Sequence, residues 1–155
     1  MSRIRGRGNQ STEMKLVTAF KDSGVRGWRR HVLLKPRAGP DKESLNKKLS
    51  RLKIKPDFVF RPQKLAVFVD GCFWHGCPLH ARKPKANAEM WRRKLEGNIS
   101  RDERSTQALI SAGWEVVRIW EHELVDVDVV VDRVKTCLAE RTLKPPFHSE
   151  HARGK

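Results

Sequence analysis

The chain has 155 residues, 38% of them hydrophobic, and carries 33 Lys and Arg against 18 Asp and Glu, a formal net charge of +15. That length fits one domain able to bury a core, no apolar run approaches the roughly 20 residues of a membrane span, and the charge favours a polyanionic partner, nucleic acid first. Three cysteines, an odd number, argue against a secreted disulfide scaffold and for a reducing, cytoplasmic setting in which close cysteines bind metal.

Residues 1–10 carry positive charge with no apolar stretch behind it, unlike a signal peptide, and are expected to form a mobile basic arm. A helix is expected over 12–23. Ser11 or Thr12 can cap it, Met14, Val17 and Phe20 share one stripe, and Gly24 can end it. Residues 31–55 read as irregular and basic, with a short amphipathic helix over 42–52 through Leu45, Leu49 and Leu52. Two β-rich runs follow, 57–60 and 65–69, and Arg61-Pro62-Gln63-Lys64 between them is enough for a hairpin. Both runs are nearly continuous in apolar character, which predicts a central pair covered on both faces.

Residues 71–86 contain Gly71, Gly76, Pro78 and Pro84 and read as loop. A helix is expected over 88–112, broken near Gly97-Asn98, with Met90, Leu95, Ile99, Leu109 and Ile110 on its apolar side. Trp114 to Trp120 reads as a strand. Residues 126–140 read as a closing helix through Val127, Val130, Val131, Val134 and Leu138, and 141–155 as a flexible tail. Helix, hairpin, helix, strand and helix together predict an α/β sandwich.

Four residues have metal-ligand chemistry at close spacing. Cys72, Cys77 and His80 form C-x4-C-x2-H in one Gly/Pro-containing loop, and His122, after the strand ending at Trp120, can supply a fourth ligand. Thiolate and imidazole suit Zn²⁺, and four protein ligands would make the ion structural. The alternative is two buried thiols and two surface histidines. Cys137 lies on an apolar helix face and reads as core.

Asp57 opens the first strand of the hairpin and Asp70 ends the second, so either carboxylate, or the carbonyl of Val69, could reach one Mg²⁺. His75 suits general-base work. Each also has a plainer reading, since Pro56-Asp57 and Asp70-Gly71 are common at strand edges and turns. Phe73, Trp74 and Trp91 are large aromatics in or beside the loop. They either pack into the core or meet a binding surface, and apolar side chains can enter a DNA base step.

The run Val67-Phe68-Val69-Asp70-Gly71-Cys72-Phe73-Trp74-His75-Gly76-Cys77-Pro78, preceded by Pro56-Asp57-Phe58-Val59-Phe60, resembles the very short patch repair (Vsr) endonucleases. Trp91, Asn98, Arg101-Asp102, Gly113-Trp114 and Trp120-Glu121-His122 extend the likeness over about residues 1–125. The resemblance implies a three-layer-like α/β sandwich akin to the PD-(D/E)XK nuclease core, with a structural zinc. It implies an enzyme that nicks double-stranded DNA 5′ to the thymine of a T:G mismatch, such as arises when 5-methylcytosine deaminates. By the same resemblance Asp57 matches a metal-binding aspartate and His75 the histidine beside the attacking water. Phe73, Trp74 and Trp91 match intercalating aromatics, and Cys72, Cys77, His80 and His122 match the zinc positions. Glu13 resembles an acidic residue of the N-terminal helix that reaches the site, and Asp102 a further acidic residue near it. Mg²⁺ and Zn²⁺ are the implied ions. DNA is the implied partner of an expected monomer, with other mismatch-repair proteins as further candidates.

The chain departs from the family in three places. Some members have histidine where Asp70 stands. The Glu-x-Lys pair of typical PD-(D/E)XK strands is absent, with Phe68 and Asp70 in its place. The segment 35–54 looks longer than the family's linker, and its Lys42, Lys47, Lys48, Arg51, Lys53 and Lys55 either contact phosphates or form a solvated basic face. A related nuclease with another DNA target, such as one serving a restriction system, and a non-catalytic zinc module that binds nucleic acid are the competing readings.

Overall fold

A computed structural model describes residues 7–39, 42–80 and 86–144. In chain order its elements are helix α1 (Arg7–Asp22), strand β1 (Trp28–Arg30), helix α2 (Glu43–Leu49), strands β2 (Phe58–Phe60) and β3 (Leu65–Asp70), helix α3 (Ala88–Ser111), strand β4 (Glu115–Trp120), a 3₁₀ segment (Glu121–Asp126) and helix α4 (Val127–Leu143). The four strands form one sheet in the order β1-β2-β3-β4. β1 pairs with β2 and β2 with β3 antiparallel, whereas β3 and β4 run parallel, joined through α3 by the crossover that parallel pairing needs.

The sheet is covered on both faces, which explains the near-continuous apolar runs in β2 and β3. Leu65, Val67 and Val69 of β3 face one layer with Phe58, Phe60, Val117 and Ile119, packed by Leu16, Val17 and Phe20 of α1 and Val130, Val131 and Val134 of α4. Phe20 meets Phe58 edge to face at 5.3 Å between ring centroids, a favoured aromatic geometry. Val59 and Ala66 face the opposite layer, with Leu49 of α2, Leu34, Ile54, and Ala108 and Leu109 of α3. The result is a three-layer α/β arrangement, in line with the α/β sandwich and covered central pair that the sequence pattern predicts.

α1 ends as Gly24 allows. Gly24 takes φ +70°, Val25 N–H donates to Phe20 O at 2.8 Å and Gly24 N–H to Lys21 O at 3.2 Å, the two bonds of a Schellman cap. Several expectations need correction. α1 begins at Arg7 rather than near residue 12, so positions 7–10 of the expected arm are helical; residues 1–6 lie outside the described ones. Met14 is exposed, and Thr12 and Glu13 are buried instead. β1 was not expected: at three residues it is too short to show an alternating pattern, and its hydrogen bonds to β2 define it.

α3 runs unbroken for 24 residues. Gly97 has open space about it, and Asn98 does not break the helix, because its amide donates outward to Trp74 O at 3.0 Å. Met90, Ile99 and Ile110 are exposed, while Ala108 and Leu109 are the buried positions of this helix. α4 extends to Leu143, three residues into the expected tail, and Arg141 ties it down by donating to Gln63 O at 2.9 Å and Gly113 O at 2.6 Å. Residues 145–155 lie outside the described ones.

Candidate active site and metal centre

The antiparallel β1–β2–β3 register brings three chain segments to one end of the sheet. Arg30 stands opposite Phe58, and His31 N–H donates to Asp57 O at 3.2 Å, so the residues just past β1 and just before β2 are neighbours. β3 ends beside them at Asp70. Two carboxylate–imidazole clusters sit at this end.

The first joins Glu13, His31 and Asp57, whose candidate ligand atoms all lie within 4.8 Å of one another. Glu13 Oε2 accepts from Arg30 at 2.6 Å and lies 2.9 Å from His31 Nε2. Asp57 Oδ2 accepts from Val69 N–H at 2.7 Å. Burial first, against the pull of that backbone bond, and then the nearby Glu13 raise the Asp57 carboxyl to about 6. His31 takes φ +53°, an uncommon conformation for a residue with a Cβ. His31 and Arg30 were missed in the sequence, where both merge into a basic run; the short β1 that presents them gave no pattern.

The second cluster joins Asp70, His75 and Asp102. Asp102 Oδ2 lies 2.5 Å from His75 Nδ1 and Asp70 Oδ1 lies 3.6 Å from the same nitrogen. Burial lowers the His75 pKa, but the Asp102 bond and the charges of Asp70 and Asp102 outweigh it and leave it raised. Burial also works against Asp102, yet its bond to His75 and the Arg118 charge hold its carboxyl below the ordinary range. These side chains line an open cavity of about 280 Å³ with Thr106, Gln107 and Trp120. Arg118 was not singled out in the sequence, because an arginine between Val117 and Ile119 reads there as an ordinary outward position of a strand.

The loop after β3 brings Cys72, Cys77, His80 and His122 together within 4.8 Å. Cys72 Sγ lies 3.2 Å and Cys77 Sγ 3.6 Å from His122 Nδ1, and Cys77 Sγ lies 3.8 Å from His80 Nδ1. Ligands held 2.0–2.3 Å from a tetrahedral zinc stand about 3.3–3.8 Å apart, so the donor set and its spacing fit that ion. Burial, with the Cys77 thiol beside it, pushes the Cys72 thiol up, a cost that a bound cation would relieve. Gly76 lets the loop dock: it takes φ +68°, and a Cβ there would lie 2.7 Å from Ile99 Cδ1 of α3.

Phe73, Trp74 and Trp91 form one mutual aromatic cluster, with centroids 5.0, 5.5 and 5.8 Å apart. They belong to neither core layer and each is half-buried at the surface. Lys94 Nζ stands 5.0 Å from the Trp74 ring and 5.3 Å from the Trp91 ring. The segment between β1 and β2 leaves the sheet at His31 and returns at Asp57. Its Lys47, Lys48, Arg51, Lys53 and Lys55 are all exposed.

Residues 44–80 match the family model described as DNA mismatch endonuclease Vsr. Type II nicking enzyme V.NaeI of Lentzea aerocolonigenes is 52% identical over 83 residues, covering 52% of this chain and 50% of the relative. Type II nicking enzyme V.XorIIP of Xanthomonas oryzae pv. oryzae is 40% identical over 85 residues, 54% of this chain and 62% of the relative. DNA mismatch endonuclease Vsr of Escherichia coli K12 is 34% identical over 83 residues, 53% of each chain. The match spans about half the length of these curated relatives. On this family match and these relatives, the chain is a homologue of the DNA mismatch endonuclease Vsr and of the type II nicking enzymes.

Proposed function

We propose that this protein is a DNA endonuclease that nicks one strand of a duplex 5′ to the thymine of a T:G mismatch. The observation that carries the reading is the convergence at one sheet end: two carboxylate–imidazole clusters lie beside a half-exposed aromatic cluster held by a zinc-type loop.

In this reading Asp57 is the protein ligand of a Mg²⁺, with the Val69 carbonyl and Glu13 beside it. The elevated Asp57 carboxyl fits a site where two acidic groups crowd and a divalent cation would balance them. When bound, that ion supplies Lewis-acid stabilisation of the phosphate and leaving oxygen. His75 takes a proton from the attacking water at Nε2 while Asp102 accepts from its Nδ1–H and fixes the ring, the usual division of labour in a base–orienter pair. Cys72, Cys77, His80 and His122 hold a structural Zn²⁺ that shapes the loop carrying His75. Phe73, Trp74 and Trp91 wedge beside the mismatch. The basic segment between β1 and β2 grips phosphates.

The V.NaeI and V.XorIIP relatives carry the name type II nicking enzyme, which favours a second reading: a related nuclease that nicks another DNA target. Purified protein with Mg²⁺ on a T:G duplex and a matched T:A duplex tests both. Nicking of the T:G duplex alone supports the first reading, nicking of both duplexes supports the second, and nicking of neither refutes the first.

A further inference from the structure

Arg118 lies on β4 and points to the α3 side of the sheet, where every one of its guanidinium nitrogens is engaged. Nε and Nη2 donate to the two oxygens of Asp70 at 2.6 and 2.7 Å, Nη1 donates to Thr106 Oγ1 at 3.2 Å, and Nη2 also reaches Asp102 Oδ1 at 3.3 Å. The guanidinium carbon sits 4.8 Å from the centroid of the Phe68 ring, which fixes the plane of the group. Asp70 is only 3% exposed, so a partner of this kind is needed to keep it there.

The arrangement matters for His75. Its Nδ1 faces two carboxylates, Asp102 Oδ2 at 2.5 Å and Asp70 Oδ1 at 3.6 Å. At these distances the Nδ1–H bond goes to Asp102, and Asp70 stands by as the alternative acceptor. We propose that Arg118 is a positioning residue for His75: by occupying both oxygens of Asp70 and the far oxygen of Asp102, it leaves Asp102 alone to orient the imidazole. Asp70 is then the anchor of Arg118 and not a competitor for the ring. Freed of Arg118, the buried Asp70 would have His75 Nδ1 as a near donor. The ring would divide between two carboxylates and swing Nε2 away from the position a water would take. This inference rests on His75 acting as the base, but its first readout does not.

The test reads the imidazole directly. In ¹⁵N-edited NMR of the full chain with its native metal content, without DNA or added Mg²⁺, the parent is expected to show one His75 ring species, with Nδ1 protonated and bonded to a carboxylate. Arg118→Met is expected to shift or double those ring signals. Arg118→Lys lacks the planar fork and is expected to recover them only in part. Asp70→Asn combined with Arg118→Met removes the competing charge together with its partner and is expected to restore a single parental species. On a cleavable duplex, Arg118→Met is expected to slow single-turnover nicking by about 10²-fold, the scale of a small misplacement of a reacting group, with duplex affinity unchanged. Parental ring signals in Arg118→Met, or a double variant indistinguishable from Arg118→Met, would overturn the proposal. Should Arg118→Met fail to fold, the double variant decides: a single parental species supports the proposal and a divided ring refutes it. A parent protein that nicks no duplex would refute the proposed function while leaving the ring signals readable.

Discussion

Val69 N–H donates to Asp57 Oδ2 at 2.7 Å across the β2–β3 pair, so one carboxylate oxygen at the sheet end is held by backbone while Glu13 crowds the group from α1. The carboxylate is oriented and yet its carboxyl is raised to about 6, so its charged form works against stability.

That conflict gives a pH-dependent prediction for the protein free of divalent cation. The folded carboxyl near 6 lies above its ordinary value of 3.8. The stabilisation from the protonated form is therefore full below pH 3.8 and is lost as pH rises to about 6. Asp57→Asn keeps an acceptor for Val69 N–H and removes the charge. It should raise the Tm above pH 7, by at most about 3 kcal/mol in stability, with the advantage vanishing near pH 4. The same variant should abolish Mg²⁺-dependent nicking. Thermal melts across pH 4–8 check the first part; an unchanged or lower Tm at pH 7.5 would show that Asp57 is not a strained carboxylate.

His75→Gln should slow nicking by roughly 10²–10⁴-fold, the range for losing a general base, with duplex affinity retained. Rates within a few-fold of the parent at saturating Mg²⁺ would mean that another group takes the proton.

Much of this site was legible in the sequence. The loop from Asp70 to His80 carries ligand chemistry at close spacing, and such spacing survives any detail of the fold. The two central strands were legible because apolar residues run through them without alternation. What was hidden depends on partners far along the chain. Arg118 acquires its place only because β3 and β4 pair in parallel with Asp70 beside Trp120. His31 acquires its place only because a three-residue strand sets it opposite Asp57. The unbroken α3 was missed for the opposite reason: Gly97 and Asn98 look like a breaker locally, and a tertiary bond from Asn98 to Trp74 O gives the amide a partner off the helix.

The thiol–imidazole cluster predicts about one zinc per chain in protein purified without chelator, on its four-ligand geometry. Cys77→Ala should lose that zinc and lower the Tm, because the cluster ties the loop after β3 to His122 in the 3₁₀ segment after β4. Metal analysis finding no zinc in parent protein would remove the ion from the account.

Gly76 tests how the loop is seated. Gly76→Ala places a Cβ 2.7 Å from Ile99 Cδ1 and asks a residue with a side chain to hold φ +68°. The steric part should be relieved by adding Ile99→Ala, while the backbone part, about 1–2 kcal/mol, should remain. Melting of both single variants and the double measures the split; full recovery in the double would show that the backbone strain is absent.

The last prediction concerns how a mismatch is found. A T:G wobble pair opens more easily than a Watson–Crick pair, so aromatics that wedge beside it meet less resistance there, and preference can arise with few base-edge contacts. In the proposed reading Phe73, Trp74 and Trp91, packed on one another at the surface and outside both core layers, would be that wedge. In the same reading the net charge of +15 should supply affinity for any DNA and a steep salt dependence. Trp74→Ala should therefore weaken binding to a T:G duplex more than to a T:A duplex, with losses on the scale of about 1–3 kcal/mol per stacked base. Lys47→Ala or Arg51→Ala, both exposed on the basic segment, should instead weaken both duplexes alike and flatten the salt slope. Equal loss on T:G and T:A from Trp74→Ala at fixed salt would make the cluster a general grip, and mismatch preference would then have to come from elsewhere on the surface.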